Sequence, residues 1–275
     1  MILGLIGSGQ WGQNYLRLLS HIPKLQVIVA GRNDWYNLIQ SKKCDGVIIA
    51  TPPESHILIA QEVLSSGKPV MIEKPLALSY EEGKILQSYE KDIPILVNHL
   101  HLFSPAFETI CKKADINKIT EINSSGANIG KFRNYSSLFD YGPHDLAMSL
   151  YLMKSVPLIK SVVVNSKMIE LETGHSFNIE LKYSKMSHNI FLSNVNPIKT
   201  RFFKVIAGSD IFVYDDTILE KLKINGEIQE IQNISTLENS LNHFLEAIDG
   251  NIDDRFGLSL SLEVCKILDI CNIVA

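Results

Sequence analysis

The chain has 275 residues, 45% of them apolar and 20% charged, with a formal net charge of -4. This is the balance of an ordinary folded globular protein; it leaves no basic footprint for nucleic acid, and no apolar run approaches the ~20 residues that cross a bilayer. The length suits two domains of ~100–200 residues, and the four cysteines (Cys44, Cys111, Cys265, Cys271), which lack metal-ligand spacing, read as reduced thiols of a cytoplasmic protein.

The chain opens on an apolar strand at residues 2–6, without the basic leader that a secretory signal needs. Residues 10–20 carry helical periodicity through Tyr15, Leu16, Leu18 and Leu19. Further strands are predicted at 25–30, 47–50, 70–72 and 95–98, and helices at 35–41, 54–65 (stopped by Gly67) and 79–90. Apolar strands alternating with amphipathic helices imply a parallel sheet covered on both faces. After residue 98 the texture changes: a helix at 104–114, an alternating strand at 118–130, then a helix at 138–154. A strand-rich block runs from 159 to about 231, with turns at Tyr183-Ser184-Lys185 and Asn225-Gly226, and two helices follow at 237–248 and 257–273. The expected architecture is an α/β domain over 1–98 and an α+β domain on a mostly antiparallel open sheet over 99–275.

Gly7, Gly9 and Gly12 fit G-x-G-x-x-G between the first strand and the first helix. The first glycine permits a tight turn, the second lets backbone approach a pyrophosphate, and the third lets helix and strand pack closely. Phosphates would then meet the free N–H groups of the helix start, with Gln10 and Trp11 completing the loop. The first domain is therefore expected to be a Rossmann dinucleotide-binding domain. The second strand ends in Val29-Ala30-Gly31-Arg32-Asn33, with glycine where an acid usually binds the ribose 2′-hydroxyl of NAD. Losing that carboxylate removes repulsion against a 2′-phosphate, and Arg32 can pair with it or stack on adenine. Gly31, Arg32 and Asn33 thus favour NADP over NAD; in the other reading Arg32 is solvated and Asp34 takes the hydroxyl.

Two lysine- and histidine-bearing stretches carry the remaining chemistry. In Ile72-Glu73-Lys74-Pro75 the proline biases Lys74 toward an extended conformation at a strand end, where its side chain can project and exchange protons. In Asp140-Tyr141-Gly142-Pro143-His144, glycine and proline argue that Asp140 precedes a helix and His144 sits in its first turn. Oxidising a secondary alcohol sends a hydride to nicotinamide and a proton to a base, a task suited to histidine. His144 is the expected acid/base, Asp140 its substrate-positioning partner and Lys74 a co-catalyst, the three converging on one coenzyme ring. Asp145 is expected to serve the helix N-terminus. No third ligand is spaced to complete a metal site.

The glycine loop, Asp45-Gly46-Val47-Ile48-Ile49-Ala50-Thr51-Pro52-Pro53-Glu54-Ser55-His56 and Ser66-Gly67-Lys68-Pro69-Val70-Met71-Ile72-Glu73-Lys74-Pro75 together resemble the glucose-fructose oxidoreductase / inositol dehydrogenase / MocA (Gfo/Idh/MocA) family. The resemblance covers residues 1–98, resumes at 140–152, and is weaker at the C-terminal helices. It implies that Thr51, Pro52 and His56 line the nicotinamide half of the cofactor path. Lys74 would contact cofactor ribose and substrate hydroxyl, and Glu73 would orient the lysine or the cofactor. Asn98 and His101, where the family enters its substrate domain, are expected to face the pocket with Asp140 and His144. This chain departs from the family there, lacking the arginines many members carry beside His101 and Leu102. The implied activity is NAD(P)-dependent hydride transfer to or from a secondary alcohol or ketone of a sugar, nucleotide-sugar or polyol. The implied assembly is a homodimer or homotetramer through the C-terminal sheet, without nucleic acid or membrane partners. The alternatives are a glycoside-cleaving relative with no net cofactor turnover and a non-catalytic dinucleotide sensor.

Overall fold

The computed structural model describes residues 1–41, 43–89, 93–130, 133–154, 159–169 and 174–275, so residue 90 of the expected helix 79–90 lies outside the described residues. The chain divides into two compact units. The first comprises Met1–His99 and Leu237–Cys265, the second Leu100–Thr236 and Lys266–Ala275. The return of residues 237–265 to the first unit has no counterpart in the single boundary expected after residue 98.

In the first unit β1 (Ile2–Ile6), β2 (Gln26–Ala30), β3 (Gly46–Ile49), β4 (Val70–Glu73) and β5 (Ile95–Asn98) form a parallel sheet in the order β2-β1-β3-β4-β5. β3, β4 and β5 are buried throughout, which is why they read as unbroken apolar runs rather than alternating ones. The connecting helices are α1 (Gln10–Leu19), α2 (Trp35–Gln40), α3 (His56–Ser65) and the short α4 (Tyr80–Lys84), which continues as a 3-10 helix over Ile85–Tyr89. The strand order reverses at β1, so its carboxyl end lies at the switch point where open α/β sheets bind ligands. α7 (Thr236–Ile248) and the start of α8 (Ser259–Val274) complete this unit: Leu258, Leu262 and Cys265 join its core, and Phe244 and Ile248 close over Gly46.

The second unit begins with a 3-10 turn at Leu100–Phe103 and α5 (Pro105–Lys113). β6 (Ile119–Ile129), β7 (Ile159–Ile169), β8 (Gly174–Tyr183), β9 (Ser187–Ser193), β10 (Val195–Ala207), β11 (Asp210–Asp215), β12 (Leu222–Ile224) and β13 (Glu227–Ile228) form one sheet, ordered β13-β12-β11-β10-β6-β9-β8-β7. Its pairings are antiparallel except β6 with β9. Asn225 and Gly226, at φ 53° and 86°, make the expected turn between β12 and β13. Along β6 and β9 buried residues (Ile122, Ser124; His188, Ile190, Leu192) alternate with more exposed ones (Glu121, Asn123; Ser187, Asn189, Phe191), so one sheet face is covered and the other open. α6 (Ser137–Met153) is packed on β6, β8 and β9 of this sheet and is buried along most of its length.

Candidate functional site

The glycine loop leaves β1 at its carboxyl end. Gly7 adopts φ +106°, and a Cβ there would stand 2.5 Å from the Ala50 carbonyl in the turn that follows β3. A Cβ on Gly12 would collide with the Gly7 carbonyl, so that glycine lets α1 press against β1. Gly9 differs: no atom lies within 4 Å of where its Cβ would be. It caps α1, whose first turn holds no acidic side chain and no side-chain cap, leaving N–H groups for an anion. Turn, close packing and open cradle are thus divided among the three glycines, and the loop fits the pyrophosphate of a dinucleotide.

At the end of β2, the position beside Gly31 is equally open, and Arg32 and Asn33 are exposed in the following turn. At the end of β3, Thr51 is half-buried and its hydroxyl accepts a hydrogen bond from Ser55 Oγ at 2.8 Å; Pro52 is exposed. His56 corrects the expectation of a ring lining the cofactor path. It is fully buried, with Nδ1 2.9 Å from the Pro75 carbonyl and Nε2 2.8 Å from the Thr51 carbonyl. It therefore ties the Thr51 and Pro75 turns together. Burial pushes its pKa down, against the carbonyls that favour the proton.

Lys74 is half-buried at the end of β4, followed by a cis peptide to Pro75. Glu73 and Asn98, opposite each other in the β4–β5 register, turn into the unit. The Tyr15 hydroxyl donates to Glu73 Oε1 at 2.5 Å, and Asn98 Nδ2 lies 3.0 Å from the same oxygen and 2.6 Å from Tyr15 Oη. Ser240 Oγ donates to Asn98 Oδ1 at 2.8 Å. Burial raises the Glu73 carboxyl above its ordinary range, opposed by these donors and by the Lys74 charge; burial and Glu73 raise the Tyr15 hydroxyl. Asn98, expected at the substrate pocket, is fully buried with its amide committed to this network, a correction whose cause is that β5's last side chain faces inward. His99 follows Asn98; its Nε2 sits 3.0 Å from Ser261 Oγ, and burial, aided by the Lys74 charge, pushes it down to about 3.

In the second unit the helix expected over 138–154 is α6, Ser137–Met153, and it corrects the expectation that Asp140 precedes the helix and His144 sits in its first turn. Ser136 accepts from the Leu138 N–H at 3.2 Å and caps the helix, so Asp140 lies in its first turn and Pro143 inside it. The glycine that suggested a break is instead a point of close approach: a Cβ on Gly142 would meet Leu268 at 2.9 Å and Leu192 at 3.4 Å. Packing outweighs the donor lost at Pro143. Asp140 and His144 now share one helix face as an i,i+4 pair. Asp140 pairs with Arg133 at 3.5 Å. His144 is buried, its ring edge-to-face with His101 at a centroid separation of 4.9 Å and 83°. His101 in turn lies 2.9 Å, through Nδ1, from the Tyr214 hydroxyl. Asp145, expected to serve the helix N-terminus, is fully buried in an ion pair with Arg201 at 3.0 Å. The guanidinium lies over Gly126, where any Cβ would stand 2.7 Å from it.

The first unit thus gathers Gly7, Gly9, Gln10, Trp11, Gly12, Gly31, Arg32, Asn33, Thr51, Pro52 and Lys74 along the carboxyl side of its sheet, and the second gathers His101, Asp140 and His144. Tyr15, His99, Arg201, Tyr214 and Ser240 escaped the sequence reading, since each lies in an ordinary apolar or alternating pattern and gains meaning only from a distant partner.

Residues 26–97 match the model of an oxidoreductase family with an NAD-binding Rossmann fold. The chain is 34% identical over 99 residues to Oxidoreductase P35 of Formosa agariphila, covering 35% of this chain and 31% of that protein. It is 23% identical over 182 residues to the scyllo-inositol 2-dehydrogenase (NADP(+)) of Bacillus subtilis, 61% and 51% of the two chains. Among solved structures, a Magnetospirillum magnetotacticum MS-1 chain described as an oxidoreductase superimposes with a TM-score of 0.90 at 27% identity, over 98% of this chain and 99% of that one. Over residues 26–97 the chain is thus similar to this oxidoreductase family, and over its whole length it shares the fold of a solved oxidoreductase. Its matches span about a third to a half of the length of these curated relatives.

Proposed function

We propose that the chain is an NADP-dependent oxidoreductase that moves a hydride between nicotinamide and a secondary alcohol or ketone of a sugar, nucleotide-sugar or polyol. The observation that carries this reading is the cradle at Gly9, open between a turn and a packing contact that both require glycine, at the start of a helix with free N–H groups. When bound, the dinucleotide supplies the hydride acceptor or donor. The N–H groups of α1 hold its pyrophosphate, Gly31, Arg32 and Asn33 its adenosine ribose, and the Thr51-Pro52 turn its nicotinamide half. His144 takes the hydroxyl proton on an imidazole nitrogen, Asp140 holds a substrate hydroxyl, and the Lys74 ammonium donates a hydrogen bond to the reacting oxygen. The relative from Bacillus subtilis named for scyllo-inositol supports a polyhydroxylated substrate. The open face of the second unit's sheet, with Asn123, Glu180, Asn189 and Phe191 around a hollow of ≈ 390 Å³, pairs copies of the chain. Four free thiols are in keeping with a cytoplasmic enzyme.

The test is nicotinamide absorbance in a screen of scyllo-inositol, sugars and nucleotide-sugars with NADP⁺ or NADPH. Lys74→Ala and His144→Ala are each expected to lose about 100-fold or more in turnover while retaining NADPH affinity; unchanged rates in both would remove the catalytic assignment. NADPH should bind about tenfold or more tightly than NADH, the worth of one charge-assisted hydrogen bond, and Arg32→Ala should abolish the difference. Tighter NADH binding would overturn the preference.

A further inference from the structure

We propose that His101 is the positioning residue of His144, and that the Tyr214 hydroxyl holds His101 for that task. The inference rests on the proposed role of His144 as the proton-transfer group. Three separate elements bring the trio together within the second unit: the 3-10 turn Leu100–Phe103, α6 and β11. His101 and His144 are each 7% exposed and Tyr214 is 0% exposed. A buried ring has little water to orient against, so its packing partners and hydrogen bonds set its direction. His101 packs edge-to-face on His144 and is restrained by the 2.9 Å bond to Tyr214.

Tyr214 is itself firmly placed. It sits opposite Phe203 in the β10–β11 register, and the Phe203 ring packs edge-on against Phe107 at 5.7 Å. A strand of the sheet therefore fixes a hydroxyl, the hydroxyl fixes one imidazole, and that imidazole backs a second. A residue serving only to fill space beside Leu102 and Phe103, both fully buried, would be apolar. Histidine at 101 carries a desolvation cost that the Tyr214 bond offsets, and its ring meets that of its neighbour edge to face. Proton transfer from a bound alcohol depends steeply on that neighbour's aim, which gives the arrangement its consequence for rate.

The experiment compares wild type, Tyr214→Phe, His101→Asn and His144→Gln by NMR of histidine-labelled protein, the last variant assigning the His144 ring signals. Tyr214→Phe removes one oxygen and keeps the packing. It is expected to displace the His144 ring signals although His101 stands between the change and that ring, and His101→Asn is expected to displace them further. With scyllo-inositol, or whichever polyol or sugar is turned over, Tyr214→Phe should lower kcat about tenfold or more with KM nearly constant. His144 signals at wild-type positions in folded Tyr214→Phe, with wild-type kcat on any substrate turned over, would overturn the inference. Failure of the proposed function reads differently: His144→Gln would then retain turnover, whatever the ring signals do.

Discussion

Glu73 is buried beside a lysine, and burial raises its carboxyl above the ordinary value of 4.5 despite the hydrogen bonds from Tyr15 and Asn98. A raised carboxyl contributes stability that is fully present below about pH 4.5 and is lost as pH rises through the folded-state value. A glutamine at this position would keep an oxygen for Tyr15 and carry no charge at any pH. The melting temperature of Glu73→Gln relative to wild type should therefore climb as pH rises above about 4.5; a difference that stays constant above that pH would contradict the assignment. His188 works with the opposite sign. It is fully buried, its Nε2 2.9 Å from Ser124 Oγ, and burial pushes it from 6.5 down to about 3. Its contribution is present above pH 6.5 and is lost as pH falls toward 3, by about 1.4 kcal/mol per pH unit at most. Calorimetry below pH 6 should find His188→Asn less acid-sensitive than wild type.

At the scale of an element, the turn from β1 into α1 separates two requirements that the motif alone cannot distinguish. Gly9→Ala places a methyl in open space at an ordinary backbone conformation, φ -69°, so folding should lose no more than the ~1 kcal/mol of a poorer N-cap. The same methyl fills the cradle, and NADPH affinity should fall at least about tenfold, ~1.4 kcal/mol. Gly12→Ala drives a methyl into the Gly7 carbonyl and should cost ~1–3 kcal/mol of stability, seen as a lower melting temperature without cofactor. Equal melting losses in both variants would mean that Gly9 is structural after all. The three glycines were legible in the sequence because each spacing answers to a local constraint, and the buried strands because two covered faces leave no polar alternation. The helix at 138–154 is legible from its apolar periodicity, but the placing of Asp140 ahead of it and His144 in its first turn does not survive. Gly142 and Pro143 carry the ordinary signature of a boundary, and only the leucines at 138, 192 and 268 that close on Gly142 show why the helix runs through. Asn98 reads as facing ligand when it faces inward because a side chain at the end of a strand has two directions, and composition does not choose between them; His56, the first residue of α3, is drawn inward by the Pro75 carbonyl, a partner 19 positions away.

For the whole molecule, the return of Leu237–Cys265 to the first unit ties distant parts of the chain into one core. Ser240 reaches Asn98 across 142 positions, a pairing that no local pattern announces. Phe244 and Ile248 cover Gly46, where a Cβ would stand 2.6 Å from Ile248, and the Gly257 N–H donates to the Ile95 carbonyl at 2.8 Å. Leu258, Leu262 and Cys265 are buried in the same core as Val47, Ile72 and Val97. Each large apolar side chain so buried contributes ~1.5–3 kcal/mol, against a net stability for a domain of ~5–15 kcal/mol. Cutting the chain after Thr236 removes all of these together and leaves the Asn98 carbonyl without its donor. The shortened chain should therefore show no cooperative thermal transition for the first unit and no NADPH binding, whereas Ser240→Ala alone should lose only ~1–3 kcal/mol and still fold. A shortened chain that melts cooperatively within a few degrees of the full one would show that the Rossmann half is self-sufficient and that α7 and α8 merely rest upon it.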